Sequence, residues 1–306
     1  MISLWIPITL TAALFQTWRT ALQQKLRGVL SVNAAGFVRY VYALPMGALL
    51  LLIAMVVDGR GLPSVNATFL WNCAAGGLLQ IFGTSLLIMA FGFRNFAVGT
   101  AYGKTEAVQG AVAAWIFLGE ALPPLAWVGI AVGVTGVMVL SLGGRGLRAH
   151  EMVAATFQPA ALCGLGSGTC FAFTAIFIKT ANRALGSEDI ILQAIFGLVV
   201  TNIMQTLMQG SWLAWREPEQ LRRAFTTWRS SAWVGTLSAC GSACWFSGFA
   251  LAPVALVRSL GQIEMVFTLL FSKFYLKETL RRVDVVGLVL IVAAVGLILA
   301  SRGFNG

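Results

Sequence analysis

Of 306 residues, 58% are hydrophobic and 10% are charged, and the mean hydropathy is +0.83. A water-soluble fold of this length cannot hide so much apolar surface, so soluble classes are excluded and the chain reads as an all-α integral membrane protein. The formal charge of +10 comes from basic residues scattered over short connections, which fits anionic lipid and excludes a continuous nucleic-acid-binding face.

A helix needs roughly 20 apolar residues to cross the hydrocarbon core. Ten stretches approach that length: 3 to 23, 33 to 57, 67 to 91, 96 to 118, 125 to 142, 159 to 181, 189 to 212, 231 to 251, 254 to 276 and 283 to 301. The first has no basic leader and no small-residue cleavage site before Lys25, so it is expected to stay as a span. Between the fifth and sixth, residues 143 to 158 begin Gly143-Gly144-Arg145-Gly146, a polar, glycine-rich connection with the character of a hinge. Residues 213 to 230 place Leu221, Phe225 and Trp228 at helical spacing, with Arg222, Arg223 and Arg229 between them and Pro218 at a helix start. That pattern predicts a short amphipathic helix on the membrane surface, with a solvated loop carrying an aromatic anchor as the alternative.

The pattern of residues 97 to 142 returns without a gap in 255 to 300. Glu106 falls on Glu264, Glu120 on Glu278, Gly103 on Gly261 and Gly129 on Gly287 at one offset of 158 positions, which also pairs Gly77 with Gly235. Apolar runs resemble one another cheaply, but a shared register of carboxylates and glycines does not arise so easily. The chain therefore reads as two five-helix repeats, 1–142 and 159–306, joined by 143–158. Five is odd, so the second repeat enters the membrane from the opposite side. Such inverted repeats enclose a cavity and support alternating access. Counting Lys and Arg, the connections after odd-numbered spans are rich and the opposite side holds only Arg60, Arg183 and Arg302. The inside-positive rule then puts both termini outside.

Ionisable groups deep in a span cost roughly 2.5 to 3.5 kcal/mol on insertion scales, so they face a cavity or a partner. Glu106 and Glu264 lie near the middle of their spans and are the candidate proton-coupling acids, since desolvation favours protonation of a buried carboxylate. The bland alternative makes them hydrogen-bonding glue between the halves. Lys104 matches Gln262 in the other repeat and Thr100 matches Arg258, so the lining is asymmetric and partly cationic, as a carboxylate-bearing solute requires. Lys104 and Glu106 are two apart, so an ion pair of either would reach another helix. Arg258 stands one turn inside its span, where snorkelling competes with solute binding; Arg39 stands two turns inside span two, and Arg19 and Lys179 are expected to snorkel. Trp18, Tyr102, Trp245 and Tyr40 are aromatic candidates for stacking on solute, with packing as the alternative.

All five cysteines fall inside apolar segments as small hydrophobes, with neither a metal site nor disulfides expected. His150 has no acidic or thiol partner at motif spacing, and no nucleotide-binding loop or zinc helix is present in the sequence, so neither an enzyme nor an ATP-driven pump is expected, and no cofactor.

The stretch Phe117-Leu118-Gly119-Glu120-Ala121-Leu122, its counterpart Tyr275-Leu276-Lys277-Glu278-Thr279-Leu280, and the following Trp127-Val128-Gly129 and Val285-Val286-Gly287 resemble the repeated hallmark of EamA-type proteins of the drug/metabolite transporter superfamily. The resemblance covers nearly the whole chain. It implies a bacterial inner-membrane transporter with both termini inside, opposite to the charge bias. It also implies roles for Glu106, Glu264 and Arg39, which fall where that family has an acid before a proline and an arginine early in span two. Here Ala107 and Met265 replace the proline, and Gln16-Thr17-Trp18-Arg19 stands where many members carry Trp-Gly, so the resemblance does not by itself carry the family's helix break over to this chain. The combined reading is a proton-coupled exporter of a small polar or zwitterionic metabolite such as an amino acid, meeting membrane lipid and its small-molecule substrate, with oligomeric state open. Uptake of an organic cation and a non-transporting membrane scaffold or lipid-handling role are the alternatives.

Overall fold

The computed structural model describes residues 4–59, 61–92, 102–142, 157–186, 189–275 and 282–303, and every element among them is helical. In chain order these are α1 (Trp5–Leu26), α2 (Val32–Val41), α3 (Ala43–Asp58), α4 (Ala67–Gly92), α5 (Glu106–Leu118), α6 (Pro124–Leu142), α7 (Pro159–Ala184), α8 (Ile190–Arg216), α9 (Pro218–Thr226), α10 (Trp228–Leu251), α11 (Val254–Leu260), a 3-10 turn (Gly261–Ile263), α12 (Glu264–Tyr275) and α13 (Arg282–Gly303). The glycine-rich connection at 143 to 156, His150, Thr100 and the second hallmark stretch from Leu276 to Leu280 lie outside the described residues.

Helix ends follow local chemistry. The Ser31 hydroxyl oxygen accepts from the Ala34 N–H at 3.2 Å to start α2, and the Asp189 carboxylate accepts from Ile191 and Leu192 at 2.7 and 2.9 Å to start α8. Gly119, at φ +65°, ends α5 in the left-handed conformation that a side chain would resist. Among the described residues, five helical stretches are long and apolar enough to cross a bilayer: 32–57, which is α2 and α3 with a single turn residue at Tyr42, together with 67–90, α7, α8 and α10. The apolar helices at 106–118, 124–140 and 285–301 are shorter. Helix α1 is 22 residues long but carries Gln16, Arg19, Gln23, Gln24 and Lys25, and falls outside the set of five. The apolar exterior is extensive: Val56, Val57, Trp71, Trp115, Ile116, Phe117 and Val289 are all exposed, as side chains facing acyl chains are.

The chain divides into two compact units, and each draws on both sequence repeats. The first comprises 1–85 and 173–252. Within it α1 packs along α10, and α8 packs on α2, α3 and α10. Phe69 of α4 stacks on Phe196 of α8 at 5.5 Å beside buried Cys73, Ala181 and Leu185. Gln205 donates to the Gly77 carbonyl at 3.0 Å and to Gln80 at 2.7 Å, tying α8 to α4. Gly235 of α10 has no room for more than hydrogen, because a Cβ there would run into the Tyr42 backbone carbonyl. The expected amphipathic helix is present as α9. Its Phe225 ring lies edge-on to Phe37 at 6.1 Å, and Arg222 and Arg223 reach Glu219 on the exposed face. The hydrogen bond from Arg222 holds the exposed Glu219 carboxyl below its usual pKa.

The second unit comprises 86–172 and 253–306. Helices α6 and α13, which carry the paired glycines Gly129 and Gly287, pack on each other along their length. A Cβ on Gly287 would lie 2.8 Å from the Gly136 carbonyl oxygen, so the backbones touch there. Helix α5 packs on α11 around buried Ala111, Ile130 and Ala255.

Candidate functional site

The predicted site residues fall into two groups, one in each unit. In the second unit both candidate acids sit at a break in the helical path. The expected continuous span at 254 to 276 is in fact α11, a 3-10 turn and α12, with Glu264 the first residue of α12. In the first repeat, Lys104 and Thr105 form a turn and Glu106 is the first residue of α5. The break therefore forms without the family proline, with Ala107 and Met265 in its place. The repeated Gly-x-x-Glu of Gly103 to Glu106 and Gly261 to Glu264 marks it in both repeats. A carboxylate at a helix start meets the positive end of the helix dipole and unsatisfied N–H groups. The Thr105 hydroxyl helps close the first turn by donating to the Tyr102 carbonyl at 2.6 Å, and Tyr102 itself is buried.

Each acid is paired with a cation from the other repeat. Lys104 Nζ lies 2.9 Å from Glu264 Oε2, and an Arg258 guanidinium nitrogen lies 3.5 Å from Glu106 Oε1. All four side chains are at most 14% exposed. Arg258 also donates to the Phe171 carbonyl of α7 at 2.9 Å, so it is buried and bound instead of snorkelling. The four charges cancel. Gln262, on the 3-10 turn, is 4% exposed, lies against Gly133, and neither its amide nitrogen nor its amide oxygen has a hydrogen-bond partner among the described residues. A buried amide without partners is costly and calls for a ligand or water. Glu120, read from sequence only as part of the hallmark, has a structural contact there: its carboxylate accepts from the Val254 N–H at 2.8 Å and so caps α11. The signal for that role, an acid able to meet the Pro253-Val254 helix start, needs the fold to be seen.

In the first unit, Arg39 is buried and held by neutral oxygens. Its Nε donates to the Ser238 hydroxyl and a terminal nitrogen donates to the Thr84 hydroxyl, both at 2.9 Å. The Tyr40 ring lies 5.5 Å from the guanidinium. Lys179 donates to the Ala252 carbonyl at 2.7 Å, where a cation complements the negative end of α10, and Arg19 is 7% exposed. Neither snorkels, because each lies on a helix face turned into the unit. Trp245 donates from its indole N–H to Gln16 at 2.9 Å and stacks on Phe249. Trp245, Gln16 and Arg19 line a small cavity with Leu237, Ser238, Gly241 and Ser242. Trp18 is 52% exposed and is not among the lining residues. Among the described residues no cluster of His, Cys, Asp or Glu is arranged to hold a metal, and the cysteines are free thiols.

Comparison with curated proteins gives no match. Among solved structures, one crystal structure of another protein superposes with a TM-score of 0.68 over 99% of this chain and 99% of its own, at 16% identity, a likeness of fold alone. The EamA-like transporter family matches twice, over residues 3–142 and 158–300, which are the two halves related by the internal repeat. With that match over nearly its whole length and with its apolar helices, the chain is a multi-pass membrane protein that belongs to the EamA-like transporter family.

Proposed function

We propose that this protein is a secondary transporter with ten membrane-spanning helices, five from each of two inverted repeats, 1–142 and 159–306, joined through 143–158. It moves a small polar or zwitterionic metabolite, an amino acid or related carboxylate, by alternating access in a bacterial inner membrane, with both termini outside. Export coupled to protons is the direction favoured by the family likeness. Glu106 and Glu264 are the coupling acids, and Lys104, Gln262 and Arg258 contact solute.

The observation that carries this reading is the exchange of partners between repeats at two helix breaks: Lys104 with Glu264, and Arg258 with Glu106. A zwitterion presents the same two charges as an ion pair. Its carboxylate can take the place of Glu264 on Lys104 while its ammonium takes the place of Lys104 on Glu264, so the pair opens without stranding a buried charge. A proton delivered to Glu264 loosens the same pair, which links proton movement to the solute cycle. Gln262, buried beside this pair in sequence and lacking a partner, supplies a donor and an acceptor to the solute.

The test is counterflow in proteoliposomes. Glu264→Gln keeps an acceptor for Lys104 and is expected to fold, yet to lose proton-driven counterflow. Unchanged proton-driven transport by Glu264→Gln removes the coupling role. Reporter fusions at either end read the orientation, with a periplasm-dependent reporter expected to be active.

A further inference from the structure

Both repeats break their helical path at a Gly-x-x-Glu, but the side chains around the two breaks differ. Thr105 and Gln109 of the first repeat are matched, at the repeat offset, by Ile263 and Phe267 of the second. A hydroxyl and an amide inside a membrane segment require partners, whereas isoleucine and phenylalanine side chains have nothing to donate or accept.

In the first repeat those partners form one chain that reaches α7, all of it within the second unit. The Thr169 hydroxyl of α7 donates to Gln109 Oε1 at 2.7 Å, Gln109 Nε2 donates to Thr105 Oγ1 at 2.9 Å, and the Thr105 hydroxyl donates to the Tyr102 carbonyl at 2.6 Å. Donors and acceptors run in a single direction along the chain, so each bond strengthens the next. The longer alternative for the Thr169 hydrogen is the Leu165 carbonyl of its own helix, at 3.0 Å. The α7 backbone reaches the same turn, since a Cβ on Gly168 would lie 3.0 Å from the Gly103 carbonyl oxygen and 3.3 Å from the Glu106 nitrogen. Lys104 and Glu106 flank Thr105, so the chain holds the backbone that carries one partner of each buried ion pair. At the second break, Ser259 and Gln262 are at most 4% exposed, and neither side chain has a hydrogen-bond partner among the described residues.

We infer that Gln109 and Thr169 are positioning residues for the solute site: they anchor the first break to α7, so that the paired charges open by movement of the second break, between α11 and α12. The inference rests on the reading of the protein as a transporter whose solute displaces the Lys104–Glu264 pair. Gln109 and Thr169 do not touch solute themselves. They act through Thr105, keeping Lys104 where a solute carboxylate meets it, and a site held ready in this way binds at lower cost.

The test is amide hydrogen exchange of the full-length protein in lipid nanodiscs, which needs no solute, together with counterflow in proteoliposomes. In wild type, peptides spanning 102–109 are expected to exchange more slowly than those spanning 260–267. Thr169→Val keeps the shape of the side chain without its donor, and Gln109→Leu removes both of the amide's bonds. Each is expected to speed exchange at 102–109 by roughly five- to tenfold, the scale of one or two neutral hydrogen bonds, and to leave 260–267 within about twofold. Thr169→Ser keeps the donor and restores the wild-type rate. For each proteinogenic L-amino acid that the wild type moves, Thr169→Val should raise KM by a similar factor with the maximal rate within about twofold, whereas a mere loss of folded protein lowers the maximal rate and leaves KM unchanged. Unchanged exchange at 102–109 in both variants, or equal exchange of the two breaks in wild type, overturns the inference. Faster exchange with an unchanged KM makes the chain a structural tie and removes the positioning role. If the wild type moves no amino acid, the proposed substrate class falls, and exchange still decides whether the first break is the anchored one.

Discussion

The pair Lys104–Glu264 can be weighed by a double-mutant cycle. At 2.9 Å, two unit charges in an effective dielectric of about 20 attract by about 6 kcal/mol, most of it offset by the desolvation of both groups. Removing one partner is costlier than removing both. Lys104→Met leaves the Glu264 carboxylate buried without its cation, a loss of roughly 3–5 kcal/mol. Glu264→Gln preserves an acceptor for the ammonium and is expected to cost about 1–2 kcal/mol. The double variant has a neutral pair in the same space and should lie within about 1 kcal/mol of wild type. For a chain of this size, at roughly 2 °C per kcal/mol, that gives melting temperatures lowered by about 6–10 °C, about 2–4 °C and about 2 °C respectively. Measured in detergent at fixed protein concentration, the double variant should melt above Lys104→Met alone. If its loss instead equals the sum of the single losses, the two groups do not interact and do not form a switchable pair. The matching cycle for Arg258 and Glu106 should show weaker coupling, since Arg258 also holds the Phe171 carbonyl and the pair is longer at 3.5 Å.

Further outcomes follow from single contacts. Glu120→Ala removes the acceptor for the Val254 N–H and should cost about 0.5–2 kcal/mol, read as a lowered melting temperature, with Glu120→Gln recovering part of it. Gly235→Ala drives a Cβ into the Tyr42 backbone and should destabilise by roughly 1–3 kcal/mol or prevent folding, whereas Gly77→Ala, at the paired position of the other repeat, meets only the Gln205 and Thr201 side chains at 3.2–3.3 Å and should cost less in the same measurement. Reversing Arg222 and Arg223 to Glu should abolish any extra thermal stability of the protein in anionic over zwitterionic nanodiscs. An unchanged difference between the two lipids would place α9 away from the headgroups.

Much of the candidate site could be read in advance as residue identities, and little of it as partnerships. Glu106 and Glu264 stand out because carboxylates are rare in apolar runs and recur at one offset. That Lys104 would meet Glu264, and Arg258 would meet Glu106, was not available, because residues 160 and 152 positions apart share no local pattern. Arg19 and Lys179 were misjudged as snorkelling residues, since sequence position along a span says how deep a side chain starts but not toward which neighbour its helix face turns. The helix breaks form with Ala107 and Met265 at the family's proline positions, so proline is not their necessary cause. Glycine with a following polar residue suffices when tertiary packing holds the chain on either side.

Membrane residence, helical class and duplication are properties of a one-dimensional string, because the length of an apolar run and the register of rare residues are written along the chain and need no neighbours. Charge compensation, capping of α11 by Glu120 and the cavity between α1 and α10 are not. They depend on which helix faces meet, and that choice is made by the packing of glycine-bearing backbones against one another in three dimensions.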